Sequence, residues 1–253
     1  MKSNNDKNYI LTIETTSPIC GVALVLDDKV IYESNLDKGL NHSITLFDNI
    51  DSALKKNKLS MKDISLIKVS NGPGSFTGLR IGIAAALGLA KQYNTPIEYI
   101  DTLDSLAHNT YKAKFKQSHI KNFRSKSNIL SEYNNEKSYI LSMIDARVDR
   151  VYISLYDFIS LNKLSSDNII SVEELCELLN KYFKNKNVDF ALIGSGAINY
   201  KDIFKKKLNI NYKIYNNSDL QASSLAFTKG IKSKIPFTNY LLASKAERER
   251  KNI

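Results

Sequence analysis

The chain has 253 residues, 43% of them apolar, and a formal net charge of +10, which predicts a soluble globular protein of one large domain or two lobes. The longest apolar run, near residues 81–90, is shorter than the roughly 18 residues of a membrane span, and residues 1–8 lack the apolar core of a signal peptide. We therefore expect a cytoplasmic protein without a membrane segment. Cys20 and Cys176 have no CxxC or histidine partner, which argues against a disulfide framework or a zinc site.

The first half of the chain predicts three antiparallel strands, a helix, and then strands that alternate with helices. Apolar residues recur every three or four positions between residues 42 and 55, as in an amphipathic helix. The glycine-rich turn after residue 70 leads into a long helix ending near Tyr93, and Thr102 is a candidate cap for the next helix. The predicted strands cover residues 9–25 (with a turn at 16–18), 29–36, 64–70 and 96–100, and the helices cover 42–55, the segment up to 93, and 102–111.

The second half begins again with paired strands, at residues 139–145 and 148–157. A helix starts at Ser171, and Gly194, Ser195 and Gly196 separate a buried strand at 190–193 from a lysine-rich helix. A strand at 212–215 and helices from Asp219 and near Tyr240 complete the chain.

Strands followed by alternating helices and strands, twice over, predict an α/β fold of two similar lobes. We expect a first lobe at residues 1–109, an insertion at 110–137, and a second lobe at 138–253 whose last helices can pack back on the first. The basic excess lies in the second half: residues 110–253 hold 25 Lys and Arg against 14 Asp and Glu. Residues 112–137 contribute seven of those bases, which fits either a solvated insertion or a basic rim that attracts RNA.

The glycine-rich turn and its helix, residues 71–82, read NGPGSFTGLRIG. Ser75 and Thr77 can cap the helix, and its free N–H groups together with Arg80 form a candidate anion site. The spacing is not that of a Walker A loop, because Gly72 is not followed five residues later by a glycine and then a lysine. The turn is therefore either a phosphate contact or purely structural.

Small residues recur every fourth position along this helix, beside a stripe of larger apolar residues. Such a stripe permits the close approach of another backbone, either inside the lobe or, together with the helix at 42–55, from a partner chain in a four-helix bundle. The small residues are Gly78, Gly82, Ala86 and Ala90, and the larger ones are Leu79, Ile83 and Leu87.

Histidine spacing argues against a metallohydrolase. His42, His108 and His119 include no pair three or four residues apart, so no two lie on one helical face as zinc ligands would. The chain also lacks the G-x-S-x-G elbow of serine hydrolases.

Several of these motifs together resemble the bacterial TsaB (YeaZ) family, which belongs to the actin-like ATPase (ASKHA) fold group. The resemblance implies two similar lobes built on ribonuclease H-like sheets with flanking helices. The residues that carry it are ILTIETTS at 10–17, GVAL at 21–24, His42, GPGSFTGLRIG at 72–82, IDAR at 144–147, and Val151 with Tyr152.

The resemblance also implies a function, that of a non-catalytic scaffold. Such a subunit pairs with TsaD, the enzyme that forms threonylcarbamoyladenosine beside the anticodon of tRNAs that read codons beginning with A. The ATPase TsaE joins the pair, tRNA is met through the complex, and the chain forms homodimers when TsaD is absent. The interface then implied consists of His42, Phe47, Ile50, Leu54, Gly78, Leu79, Gly82, Ile83, Ala86 and Ala90.

The first turn favours a lost active site. Actin-like kinases need glycine there so that backbone N–H groups reach the phosphates, whereas Thr15 and Thr16 follow Glu14 here. We therefore expect no cofactor bound by the chain alone, whereas the complex can bind ATP or ADP, and the histidine spacing predicts no metal site. Candidate anion or nucleotide contacts are Thr15, Thr16, Ser75, Thr77 and Arg80.

Two other functions compete with the scaffold. One is an ATP-dependent, kinase-like phosphotransferase that uses Glu14, Asp145, Arg147 and the turn at 75–80. The other is a stand-alone RNA-binding protein that uses the basic second half.

Overall fold

A computed structural model describes residues 7–37, 42–115, 137–215, 220–233, 235 and 238–239. The chain divides into two compact units, the first comprising residues 1–105 and 220–253 and the second residues 106–219. The first unit thus contains two separate stretches of the chain, whereas the sequence analysis expected one lobe at 1–109 and the other at 138–253.

The first unit is built on a six-stranded mixed sheet. Its first three strands form an antiparallel meander, and its fourth and fifth strands run parallel to the first, so the sheet order is β11-β5-β4-β1-β2-β3. The strands are β1 (Tyr9–Glu14), β2 (Ile19–Leu26), β3 (Lys29–Asp37), β4 (Ile64–Ser70), β5 (Ile97–Ile100) and β11 (Ile231–Lys232).

Helices cover both faces of this sheet. On one face, α1 (His42–Lys56) and α2 (Phe76–Tyr93) bury Leu11, Ile13 and Val22 in the main core. On the other face, α7 (Ala222–Phe227) packs against β1, β2 and β3. Because β1 side chains alternate between two faces that are both covered, the strand is buried along most of its length.

The second unit repeats this plan on a five-stranded sheet with the order β10-β9-β6-β7-β8. β6, β7 and β8 form an antiparallel meander, while β9 and β10 run parallel to β6. The strands are β6 (Lys137–Asp145), β7 (Arg150–Asp157), β8 (Asn168–Ser171), β9 (Val188–Ile193) and β10 (Asn211–Tyr215), and the helices are α4 (Val172–Phe183), α5 (Ser195–Asn199) and α6 (Lys201–Lys207).

The two units therefore have the same strand order and direction, with β1 to β5 corresponding to β6 to β10. This duplication confirms the predicted α/β fold of two similar lobes with ribonuclease H-like sheets. The helix α3 (Thr102–Phe115) continues the chain from the first unit into the second.

Most predicted elements of the described residues are confirmed, and one cap is wrong. The helix α3 is capped by Asp101 and not by Thr102, because Asp101 Oδ1 accepts hydrogen bonds from the Leu103 and Asp104 N–H groups. The sequence analysis missed β8, β11 and a 3₁₀ turn at Met61–Asp63. Most of the predicted insertion at 110–137 and the helix expected near Tyr240 lie outside the described residues.

Both cysteines are buried and unpaired. Among the described helices, none combines the length and the apolar character required to cross a bilayer.

A buried lysine anchors the returning segment at residues 220–232 to the first sheet. Lys68 on β4 donates hydrogen bonds to the Ala226 carbonyl at 3.0 Å and the Thr228 carbonyl at 2.9 Å. Its ammonium lies 3.6 Å from the carboxylate of Glu98, which also accepts the Gly230 N–H. Burial lowers the pKa of Lys68, while Glu98 opposes that change. Polar side chains of the sheet thus hold the segment in place.

We expect Lys68→Ala to lower the free energy of unfolding by about 3–5 kcal/mol, because it leaves Glu98 and two carbonyls buried without their cation. Urea denaturation measures this loss. The exposed Lys62→Ala is the control and should change stability by less than about 0.5 kcal/mol. Equal effects of the two variants would contradict the anchoring role.

Candidate functional site

The turn between β1 and β2 packs directly against the start of α2. The Thr15 hydroxyl donates a hydrogen bond to the Gly78 carbonyl at 2.8 Å, and the Ser75 N–H donates to the Thr16 carbonyl at 2.7 Å. Both threonine side chains are buried. The turn and the helix start thus form one closed unit in which the two hydroxyls bond to the chain itself.

Glu14 is fully buried at the end of β1, and both of its carboxylate oxygens accept hydrogen bonds. One oxygen accepts the N–H and the hydroxyl of Thr16, and the other accepts the Ser70 hydroxyl. Burial raises the pKa of Glu14, although the bonds from Ser70 and Thr16 act in the opposite direction. A carboxylate enclosed in this way is not presented to a metal ion or to a substrate.

The start of α2 has the expected cap. The Ser75 hydroxyl accepts the Gly78 N–H at 3.2 Å, which confirms Ser75 as the capping residue. Arg80 is exposed, and its guanidinium lies 3.9 Å from the centre of the Phe76 ring. Of the five candidate anion contacts, the structure thus brings Thr15, Thr16 and Ser75 together in internal bonds and leaves Thr77 and Arg80 exposed. An anion contact through Thr77 or Arg80 stays a prediction.

The small-residue stripe of α2 faces the interior of the first unit. Gly78 and Gly82 lie against β1, where a Cβ on either would collide with Thr15. The placement of this stripe on an open partner face is therefore wrong, and the close backbone it accommodates is the chain's own first turn. The residues affected by this correction, all buried, are Gly78, Leu79, Gly82, Ile83, Ala86 and Ala90.

The helix α1 divides in the same way between interior and surface. Ile50 and Leu54 are buried in the core, so their placement on an open partner face is also wrong, whereas Phe47 is 52% exposed as expected. His42 begins α1, and its side chain lies outside the described residues.

The opposite sides of the two helices carry a group of solvent-accessible apolar residues that we call the outer face, beside exposed polar residues such as Asp48 and Arg80. The helices α1 and α2 contact each other, and Ile44 on α1 is 70% exposed. On α2, Ala84 and Gly88 are exposed, and a Cβ placed on Gly88 would meet nothing within 4 Å. The outer face comprises the exposed Ile44, Phe47, Ala84 and Gly88 and the half-buried Ile81 and Leu87, which also pack against the core.

Five of these six residues were not predicted for the interface, and four of the five lie in the segment 81–90 of α2, which contains no polar residue. Periodicity identifies the inner side of a helix only when the other side is polar. A signal that was available is the pair Gly78 and Gly82, four residues apart on one side of the helix, where glycine permits a close neighbour. That neighbour is the internal residue Thr15, so the outer face lies on the side of α2 away from Gly78 and Gly82.

In the second unit, Asp145 stabilises the hairpin between β6 and β7. Its carboxylate accepts the Arg147 N–H at 2.8 Å, the Asn199 side-chain amide at 2.8 Å and the Tyr200 hydroxyl at 3.0 Å. Burial, together with the bond to Asp145, raises the pKa of Tyr200 to about 12. Asp145 thus holds a turn in place, and the backbone of Arg147, rather than its guanidinium, contacts it.

Comparison with known proteins connects these features to a family. A family model described as "TsaD: tRNA N6-adenosine threonylcarbamoyltransferase" matches residues 38–234. Relatives from several bacteria carry the name "tRNA threonylcarbamoyladenosine biosynthesis protein TsaB". The chain belongs to the TsaB (YeaZ) branch of this family.

The TsaB relatives match over different lengths. The protein from Buchnera aphidicola subsp. Baizongia pistaciae is 28% identical over 89% of this chain and 95% of its own length. The Bacillus subtilis protein is 38% identical over 40% of this chain, and that match spans only 44% of the relative. The solved structure "YeaZ from Pseudomonas aeruginosa" shares the fold, with a TM-score of 0.67 and 19% identity over 92% of this chain and all of that one.

Two glycine substitutions on α2 distinguish its inner and outer sides. We expect Gly88→Ala to raise the free energy of unfolding by about 0.8–1 kcal/mol, since alanine is the better helix former and the site is open. Gly82→Ala should lower it by about 1–3 kcal/mol, because the new Cβ collides with the Thr15 hydroxyl. Thermal and urea denaturation measure both, and stabilisation by both substitutions would refute the orientation of α2.

The buried carboxyl of Glu14 predicts a pH-dependent stability. Because its pKa is higher in the folded than in the unfolded chain, folding is weakened as pH rises above about 4.5, the unfolded value. In Glu14→Gln the amide can still accept from Thr16 and donate to Ser70, without ionising. The variant should therefore gain stability over the wild type as pH rises above about 4.5, as measured by urea denaturation.

The control for this measurement is Asp63→Asn. Hydrogen bonds from Ser60 lower the pKa of Asp63, so its contribution to stability is present at neutral pH and is lost as pH falls. The two variants should therefore respond to pH with opposite signs. A pH-independent difference between Glu14→Gln and the wild type would contradict the burial of an ionisable Glu14.

Proposed function

We propose that the chain is a non-catalytic scaffold subunit that pairs with TsaD in the formation of threonylcarbamoyladenosine beside the anticodon of tRNAs reading codons that begin with A. TsaE joins this pair, tRNA is met through the complex, and the complex works in the cytoplasm. The observation that carries the proposal is the outer face, a group of exposed and half-buried apolar residues on two contacting helices.

The closed first turn supports a scaffold rather than an enzyme. Phosphate-binding turns present free backbone N–H groups to the anion. Here the Thr16 N–H bonds to Glu14, the Ser75 N–H bonds to the Thr16 carbonyl, and both threonine side chains are buried. We accordingly infer that the chain is an inactive paralogue of TsaD, needed for the activity of TsaD, and that ATP or ADP binds only in the complex.

The phosphotransferase alternative is not favoured. It requires Glu14 and Asp145 to act as acid, base or metal ligand, yet all oxygens of Glu14 and Asp145 accept hydrogen bonds from the chain. Glu14 is moreover inaccessible to solvent.

The composition of the outer face suits a protein partner. Its α2 residues lie in the uncharged segment 81–90, where the small residues Ala84 and Gly88 let a facing helix approach closely. Exposed apolar surfaces of this kind mark interaction sites in soluble proteins. When TsaD is absent, the outer face of a second copy can cover it in a symmetric dimer.

We expect Gly88→Arg to weaken the pairing while leaving the fold intact. Arginine is a better helix former than glycine, and its Cβ has open space, but its charge would be buried in the interface. Titration against TsaD of the same organism should give an affinity at least tenfold weaker, about 1.4 kcal/mol. Size-exclusion chromatography of the variant alone should also show loss of any homodimer.

The matched control is Asn162→Arg, which adds the same charge at an exposed loop position of the second unit. It should bind TsaD like the wild type. Wild-type affinity of Gly88→Arg, with its fold confirmed by circular dichroism, would refute the outer face as the TsaD site.

A further inference from the structure

One edge of the second sheet collects the starts of three strands and the ends of two helices. Because β6, β9 and β10 are parallel, their first residues lie at the same edge. The helix α4 leads into β9 and α6 leads into β10, so both helices end there. Asn180 joins the two helix ends, since its amide donates to the Lys207 carbonyl at 2.7 Å and accepts the Asn209 N–H at 2.7 Å.

Five exposed lysines lie at this edge, and we call them the basic edge. Within the described part of the chain, none of the five takes part in an ion pair. The adjacent Lys207 differs, because it is paired with Glu173 at 2.5 Å. One acidic residue, the half-buried Asp189, lies near the start of β9, the strand next to β6. The basic edge consists of Lys137, Lys184, Lys186, Lys205 and Lys206.

Helix-end effects do not account for this cluster. Cations near a helix C-terminus are stabilised by the carbonyl groups there, which suits Lys205 and Lys206. Lys137, however, begins a strand, and Lys186 lies beyond the end of α4. The positive charge therefore extends along the edge of the sheet rather than around one helix end.

The backbone that carries these lysines is ordered by hydrogen bonds. The Lys184 N–H donates to the Asn180 carbonyl at 3.1 Å, and the Lys186 N–H donates to the Phe183 carbonyl at 3.1 Å. The Lys186 ammonium lies 5.5 Å from the centre of the Phe183 ring, which itself packs edge-on against Phe190. Lys184 and Lys186 thus lie on backbone that is held by hydrogen bonds.

An aromatic side chain accompanies the charges. Tyr182, in the last turn of α4, is 54% exposed, and Lys181 lies 5.4 Å from the centre of its ring. In such an arrangement the lysines can contact phosphates, and the exposed aromatic ring can stack on a base.

We propose that the basic edge binds the phosphate backbone of RNA. On the proposed function that RNA is the tRNA substrate of the complex, and the edge supplies a contact additional to those of the partner. Lipid is the less suitable anion, because an interfacial helix needs a free apolar side for the bilayer. The apolar sides of α4 and α6, including Leu175, Leu179 and Phe204, are buried in the second core.

The test compares two triple variants that each lower the net charge by three. One changes the edge (Lys184→Gln, Lys186→Gln and Lys206→Gln), and the other changes exposed lysines of the first unit (Lys29→Gln, Lys58→Gln and Lys62→Gln). Fluorescence anisotropy with unmodified tRNA between about 50 and 200 mM salt gives the slope of log affinity against log salt. Each lost phosphate contact reduces that slope by about 0.7–0.9, so the edge variant should be shallower by about two to three.

Three outcomes would overturn the proposal. In the first, the wild type does not bind tRNA. In the second, both triple variants reduce the salt slope equally, which indicates non-specific attraction to a basic protein. The third is that vesicles of phosphatidylserine, but not tRNA, bind in an edge-dependent way. A loss confined to the edge variant supports the proposal.

The same variants separate this proposal from the scaffold function. The edge variant should retain wild-type affinity for TsaD, and Gly88→Arg should retain the tRNA affinity of the isolated chain. Normal TsaD binding by Gly88→Arg would therefore contradict the proposed interface without affecting the RNA-binding proposal. An unchanged salt slope in the edge variant would contradict the RNA-binding proposal without affecting the interface.

Discussion

The close packing of the first turn on the start of α2 determines most of the arrangement in the first unit. The Thr15 carbonyl and hydroxyl occupy the positions that side chains at Gly78 and Gly82 would take. Only glycine permits this approach, and its cost in helix propensity, about 0.8–1 kcal/mol for each residue, is offset by burial of the helix against β1. One contact thereby fixes the rotation of α2 about its axis.

That rotation has two consequences for function. The inner side of α2 closes the first turn, so the Thr15 and Thr16 hydroxyls and the Glu14 carboxylate bond to the chain itself. The other side presents Ala84 and Gly88 to solvent. The same packing that occupies the polar groups of the first turn thus leaves apolar residues of α2 at the surface, and the proposed scaffold role rests on this single arrangement.

The duplicated sheets differ in how their corresponding turns are used. Glu14 and Asp145 both end the first strand of their unit, yet Glu14 is sealed in the interior while Asp145 holds an exposed hairpin. At the opposite edge of the second sheet, the helix ends and strand starts bring lysines together that are up to 69 positions apart in sequence, from Lys137 to Lys206. The first unit is completed by the returning segment, which Lys68 and Glu98 hold in place.

The sequence by itself determined the elements and the duplication, because hydrophobic periodicity and glycine, serine and proline signals are local. It predicted the meander, α1, β4, the cap at Ser75 and the repeated plan of the second half, and the motif at 72–82 indicated the family. Tertiary structure alone decided which side of the apolar segment 81–90 of α2 faces inward, since that segment contains no polar residue to mark its exposed side. It also decided that residues 220–232 complete the first unit, because Lys68 and the Ala226 and Thr228 carbonyls that it contacts lie about 160 residues apart in sequence.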